Sequence, residues 1–310
     1  MSFVSIHDLW VTYGDVHAVR GISIEIPKGE VFGFIGPNGA GKSSTIKVLA
    51  TLKEPAHGSV HIGGLSVPEN PMEIRRRIGY MPDFFGVYED LSVFDYLSFF
   101  AAAYQLPISE REKTVRDVLE LTDLPHKRTA PVDGLSRGMK QRLALARVLL
   151  HDPDVLLLDE PASGLDPRAR IEIRELLKAL REMGKTILIS SHILHELAQL
   201  CTCIGIIEAG RMVAQGSLDD IFKQLNLLQV VHTQILNVDD GMVESIRKIP
   251  GVEDVEIQSD RLAIRTHADS LLAEDLLDTI HGMGAKVRMF QPEAMDMETA
   301  FMKLTQGTTR

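Results

Sequence analysis

Cysteine is scarce: Cys201 and Cys203 are the chain's two, and a single residue separates them. That gap is poor for a disulfide, and no other cysteine or histidine pair completes a zinc site, so both are expected as reduced thiols. Long apolar runs are lacking too. None approaches the roughly 18–20 residues needed to cross a bilayer, so the chain is not expected to span a membrane itself. The start, MSFVSIHDLW, has no basic segment ahead of an apolar one and carries Asp8, so no secretory signal is expected. Basic excess is missing as well. With 33 Lys and Arg against 43 Asp and Glu, the formal net charge is −10 and the pI is near 5.6, which speaks against a nucleic-acid partner. Repeats and low-complexity tracts are also absent. What remains is ordinary globular composition, 45% hydrophobic and 25% charged, in 310 residues, enough for one large domain and a smaller one.

Up to about Phe222 the chain alternates strand-like and helix-like segments, the pattern of an α/β fold. VFGFIG (31–36), DVLLLDE (154–160) and TILISSH (186–192) are near-continuous apolar runs and read as strands covered on both faces, as in a parallel sheet. FVSIHDLWVTY (3–13) and GISIEIPKGE (21–30) alternate instead, as half-exposed antiparallel strands would. Residues 90–150 are helical in pattern: a helix capped by Ser92, a second over 109–121 and a third over 139–150. After IFKQLN (221–226) the pattern becomes β-α-β-β-α-β, a split-βαβ module closed by a last helix around MDMETAFMKLT. The expected organisation is therefore a domain over 1–222, a linker at 223–228 and a small α+β domain over 229–310.

GPNGAGKS, residues 36–43, fits the phosphate-loop template G-x-x-x-x-G-K-[ST]. Its glycines let the backbone curl so that successive N–H groups point inward at phosphate oxygens. Gly36, Pro37, Asn38, Gly39, Ala40 and Gly41 are thus all expected at the nucleotide. The following helix adds its positive N-terminal end. Lys42 would reach the β- and γ-phosphates, and the Ser43 hydroxyl would ligate magnesium. VLLLDE (155–160) delivers Asp159 at a strand end, where a second magnesium ligand belongs, and Glu160 follows, placed to polarise the attacking water.

Those two features fit any phosphate-loop NTPase. The segment LSRGMKQRLALARVLL (135–150) discriminates, because it resembles the ABC signature, usually LSGGQ, and its helix. ASGLDP (162–167) is similar to that family's D-loop, ILISSH ends in a match to its switch histidine, His192, and Tyr13 matches the aromatic on which adenine stacks. Together these identify residues 1–222 as similar to an ATP-binding cassette. The resemblance implies a RecA-like sheet with an antiparallel β subdomain and a helical subdomain, ATP and Mg2+ as ligands, and ATP hydrolysis. It places Ser44 with the loop residues at ATP. It also implies a head-to-tail dimer, homodimeric or paired with another cassette, in which Ser136, Gly138 and Asp166 face the nucleotide of the opposite subunit. A separate transmembrane permease is the implied partner, at the cytoplasmic face of the membrane. ETAFMKLT (298–305) and the small added domain resemble single-cassette ATPases of bacterial exporters. Soluble ABC ATPases acting on ribosomes or DNA, and low-turnover nucleotide switches, are the competing readings. The former usually carry two cassettes or a long coiled-coil insertion, and neither is present.

Three departures stand out. Asp83 occupies the place of a glutamine that touches magnesium and water, and Arg137 and Met139 replace the usual Gly and Gln of the signature. Asp83 is thus a further candidate at the metal, although a γ-phosphate would repel its carboxylate. With Phe84 and Phe85 it forms the expected coupling loop, where Val87 and Tyr88 extend a candidate groove for a partner helix. The aromatics Phe94, Tyr96, Phe99, Phe100 and Tyr104 are expected as helical packing. His192, His195 and Glu196 have the wrong order for a zinc helix.

Overall fold

The computed structural model describes residues 2–84, 86, 90–193, 197, 199–217, 220–221, 228–236, 238–258, 261–267 and 271–292. The chain divides into two compact units, Met1–Gly216 and Ser217–Gln306. The strands of the first are β1 (Ser2–Tyr13), β2 (Val16–Pro27), β3 (Val31–Ile35), β4 (His57–Ile62) and β5 (Leu65–Ser66). They continue as β6 (Ile78–Met81), β7 (Val155–Asp159), β8 (Thr186–Ser191), β9 (Cys203–Glu208) and β10 (Arg211–Gly216). Its helices are α1 (Lys42–Leu49), α2 (Pro71–Arg77), α3 (Val93–Ala103), α4 (Ile108–Leu121), α5 (Arg137–Leu149) and α6 (Pro167–Glu182).

Two sheets form this unit. The larger has the order β10-β9-β3-β8-β7-β6, parallel except for β10. Every residue of β3, β7 and β8 is buried, which is why their sequences do not alternate. The smaller sheet, β2-β1-β4-β5, is antiparallel, and its alternating residues keep one face wet. Ile6, Leu9 and Ile24 from it share one core with Phe32, Phe34, Leu157 and Leu188 of the larger sheet. Burying such a side chain contributes about 1.5–3 kcal/mol, so this core fixes the larger sheet, and with it the strand ends that carry the site.

Between β6 and β7 the chain is helical. The Ser92 hydroxyl accepts from the Asp95 amide at 3.1 Å and donates to its carboxylate at 2.5 Å, starting α3. Tyr96 is fully buried, and the Arg147 guanidinium of α5 lies 5.1 Å from the Phe100 ring. The aromatic run thus packs helix on helix, while Phe99 keeps about half its surface exposed (51%).

The second unit contains β11 (Leu228–Leu236), α7 (Asp240–Arg247), β12 (Val252–Gln258), β13 (Arg261–His267), α8 (Ala273–Gly282) and β14 (Lys286–Pro292). Its sheet order is β12-β13-β11-β14, antiparallel throughout, the arrangement of a split-βαβ module. Val231 and Ile264 of the sheet pack with Ile246 of α7 and Leu276 and Ile280 of α8. Of the expected linker, residues 223–227 lie outside the described residues, and Leu228 opens β11. The expected last helix, around 295–305, lies outside them as well. Among the described residues no helix is long and apolar enough to cross a membrane.

Candidate functional site

Three parallel strands end side by side. β8 lies between β3 and β7, with Ile35 registered on Ser191 and Asp159 on Ser190. The loop after β3, the carboxylates after β7 and the histidine after β8 therefore meet at the carboxyl edge of the sheet, where open α/β folds bind ligands.

Gly36 and Gly41 are dictated by space. A Cβ at Gly36 would stand 2.2 Å from the Ile207 carbonyl oxygen, and one at Gly41 2.7 Å from that of Ala18. Gly41 also has φ +115°, in the left-handed region. Between them the chain turns back on itself, and the Ala40 amide donates to the Pro37 carbonyl at 3.2 Å. Asn38 and Gly39 form the exposed crest of this turn, whereas Pro37 is half-buried and Ala40 buried. Asn38 is therefore brought to the site by its backbone, at the solvent side of the loop. The Ala40 carbonyl accepts from the Gly210 amide at 2.9 Å, which pins the loop against the β9–β10 turn. Gly41 caps α1 without a side-chain bond, leaving the first amides of that helix for an anion. Ser43 and Ser44 stand half-buried in its first turn.

The Lys42 ammonium is buried. It donates to the carbonyls of Gly36 (2.6 Å) and Pro37 (3.2 Å) and stands 3.6 Å from Glu160 Oε1. Burial draws its pKa down, opposed by the charges of Glu160, Asp159 and Asp83. Asp159 Oδ1 accepts from the Ser190 hydroxyl at 2.6 Å. That same hydroxyl accepts from the Glu160 backbone amide at 3.0 Å, so one serine ties the Asp159 carboxylate to the Glu160 main chain. Glu160 is buried and has φ +51°, unusual for a residue with a side chain. Its Oε2 pairs with His192 Nδ1 at 2.8 Å. Among the described residues its Oε1 is buried without a hydrogen-bond donor, Lys42 being an ionic neighbour at 3.6 Å, and so keeps an acceptor for a water.

Asp83 is exposed beside this cluster. Burial of its surroundings pushes its carboxyl pKa up, Asp159 and Glu160 add to the rise, and Arg137 and His192 oppose it. Tyr80, also near Asp159, is pushed up to about 12, chiefly by burial. A raised carboxyl pKa costs the fold stability. The cost is full above the raised pKa and disappears as pH falls below the ordinary value near 3.8. Asp83→Asn is therefore expected to raise the Tm of the nucleotide-free protein at pH 7, and by less at pH 4. Thermal melts at the two pH values check this. Phe84 projects into solvent at 89% exposure, while Phe85, Val87 and Tyr88 lie outside the described residues.

The signature residues sit elsewhere. Ser136 caps α5, accepting from the Met139 amide at 3.3 Å, and both Ser136 and Gly138 lie near the surface. A Cβ at Gly138 would be 3.1 Å from Ala169 of α6, and Asp166 caps that helix by accepting from the Ala169 amide at 2.9 Å. These residues thus gather with one another rather than with the loop of their own chain. Tyr13 closes the β1–β2 hairpin with 44% of its surface exposed, and Lys53 Nζ lies 5.0 Å from its ring. Among the described residues no three His, Cys, Asp or Glu side chains group as a metal site, and His195 and Glu196 lie outside them. A cation here would rest on one carboxylate, a hydroxyl and substrate oxygens, which suits magnesium. Neither Cys201 nor Cys203 is held in a disulfide.

Ser190 escaped sequence reasoning, although the pair of serines closing an otherwise apolar strand, ILISSH, was the available signal. Arg137 registered only as a departure.

A family model described as ABC transporter matches residues 19–163. The chain is 33% identical to the linearmycin resistance ATP-binding protein LnrL of Bacillus subtilis, over 96% of each chain. It is 34% identical to Nod factor export ATP-binding protein I of Cupriavidus pinatubonensis, over 94% of this chain and 87% of that one. Among solved structures it is similar to an ATP-binding subunit of an ABC transporter, at 32% identity and TM-score 0.65, covering 72% of this chain and 93% of that one. CbiO1 from Clostridium perfringens, part of the transporter complex cbiONQ, gives the same identity and TM-score over 71% and 90%.

Proposed function

Because this chain belongs to the ATP-binding subunits of ABC transporters, which hydrolyse ATP to power transport, we propose that it energises export through a separate permease. The observation that carries the export reading is the length of its likeness to a resistance and an export ATP-binding protein, which runs past the cassette into the second unit. Residues 1–222 act as the cassette, 223–228 as linker and 229–310 as an added domain.

Two copies, or one copy and a related cassette, close head to tail over two ATP molecules. The backbone amides between Gly36 and Ser44, those of Asn38 and Gly39 at the crest included, hold the phosphates together with the Lys42 ammonium, and Tyr13 stacks on adenine. Ser136 and Gly138, with Asp166 beside them, complete the partner's site from across the seam. Ser43 and Asp159 would hold Mg2+, whose charge neutralises that building on the phosphate oxygens. Asp83, whose carboxyl is acted on by the charges of Asp159 and Glu160, is a further candidate ligand. Glu160 accepts the proton of the attacking water through its free Oε1, while His192 orients the carboxylate from the other side and reads the γ-phosphate. ATP favours closure because it makes contacts that ADP cannot, and hydrolysis reopens the pair. Asp83, Phe84 and Phe85 pass that movement to the permease.

The chain works as a peripheral subunit at the cytoplasmic membrane face. Co-expressed with its multi-span permease it is expected to sediment with membranes, and to stay in the supernatant when expressed alone. Recovery in the supernatant under both conditions would overturn the transporter reading.

A further inference from the structure

Arg137 stands where the family signature carries glycine, and its side chain reaches back into its own subunit. Its Nη2 donates to the Ser163 carbonyl at 3.0 Å. The guanidinium lies flat over Gly164, so that a Cβ there would come within 2.3 Å of Cζ. Gly164 has φ +65°, a conformation that glycine adopts without strain. The segment under this guanidinium is short and leads straight to the carboxylate. The Ser163 amide donates to the Glu160 carbonyl at 3.1 Å, and the Glu160 amide donates to the Ser190 carbonyl at 3.2 Å and its hydroxyl at 3.0 Å. Glu160 itself holds φ +51°, a conformation that persists only where its surroundings enforce it.

We infer that Arg137 is a positioning residue: it clamps the turn over 160–164 from the signature helix and so holds Glu160 in its left-handed conformation. The inference rests on the reading of Glu160 as general base. Three bonded links join the signature to that base: guanidinium to Ser163 carbonyl, Ser163 amide to Glu160 carbonyl, Glu160 amide to Ser190. The geometry suits arginine in particular. A planar fork covers a glycine and donates to a carbonyl at once, whereas a lysine ammonium supplies the charge and donors without the plane. Because the same α5 terminus carries Ser136 and Gly138, a shift of the signature on meeting the opposite nucleotide moves the clamp on the base of its own site. The segment that senses one nucleotide is thereby tied to the group that cleaves the other.

Single-turnover and steady-state ATP hydrolysis by the full chain test this, with nucleotide affinity measured beside them. Arg137→Ala is expected to lower kcat about tenfold, the equivalent of one hydrogen bond from a charged donor, with KM for ATP within twofold of the parent. Arg137→Lys is expected to recover part of the rate. In a Glu160→Gln background Arg137→Ala is expected to cause no further loss, because the group it positions is already disabled. An unchanged kcat in Arg137→Ala overturns the inference. So does a raised KM at constant kcat, which would place the arginine on the partner's phosphates. An undiminished tenfold loss in the Glu160→Gln background overturns it too. Wild-type turnover by Glu160→Gln alone would defeat the general-base reading instead, and is seen without touching Arg137.

Discussion

Glu160→Gln is expected to cut ATP turnover by about 10²- to 10⁴-fold while leaving ATP bound, since that is the range a positioned general base contributes. The amide matches the carboxylate in shape, so the packing of a residue 8% exposed is kept. His192 Nδ1, now 2.8 Å from Oε2, and Lys42, 3.6 Å from Oε1, face different carboxylate oxygens, so the single amide oxygen can meet one of them and the amide nitrogen faces the other. What is lost is the ability to take a proton at Oε1, the oxygen of Glu160 that has no donor among the described residues. The retained affinity comes from the loop, whose glycines and α1 amides are untouched. Phosphate release in a single turnover, together with fluorescent-nucleotide binding, checks both halves. Hydrolysis within threefold of the parent would remove Glu160 from the chemistry.

Lys42→Ala is expected to weaken ATP binding by at least about tenfold, because it deletes a charged donor to phosphate. It has a second expected effect, on the protein without nucleotide. The ammonium is a buried cation beside Glu160; burial draws its pKa down, and Glu160, Asp159 and Asp83 together oppose that fall. Removing one partner of a buried pair costs about 3–5 kcal/mol, so a drop in Tm of roughly 6–12 °C is expected, taking the low end of that cost. Calorimetry without and with ATP separates the two effects. Unchanged nucleotide affinity would contradict the phosphate role of Lys42, and an unchanged Tm would mean that the carboxylates are balanced without it.

Much of this site was legible because it is sequence-local. The phosphate loop needs glycine at Gly36 and Gly41 for reasons of space and backbone sign, and those needs show in the spacing itself. Asn38, by contrast, falls at a free position of the template, and its exposed place at the crest leaves its side chain few demands to meet. The strands β3, β7 and β8 were readable from apolar runs because both faces are buried. Split-βαβ order in the second unit was readable from the alternation of strand and helix patterns. Long-range facts were not. That Ser190 serves both Asp159 and Glu160 depends on the pairing of β8 with β7, and no local pattern reports strand order. The strain at Glu160 is also invisible to residue type, because a left-handed φ is expected of glycine or asparagine. Arg137 looked like a tolerated exception at the signature. Only the fold brings it over Gly164, which is 27 positions away in sequence.

The central claim is that this phosphate loop is half of a site completed by Ser136 and Gly138 of another subunit. Light scattering on Glu160→Gln in ATP and magnesium tests it most directly. A mass twice that of the 34.4 kDa chain is predicted in ATP, returning to the single-chain mass in ADP or when Ser136→Arg is added. A single-chain mass in ATP, or a double mass that Ser136→Arg leaves intact, would contradict the shared site.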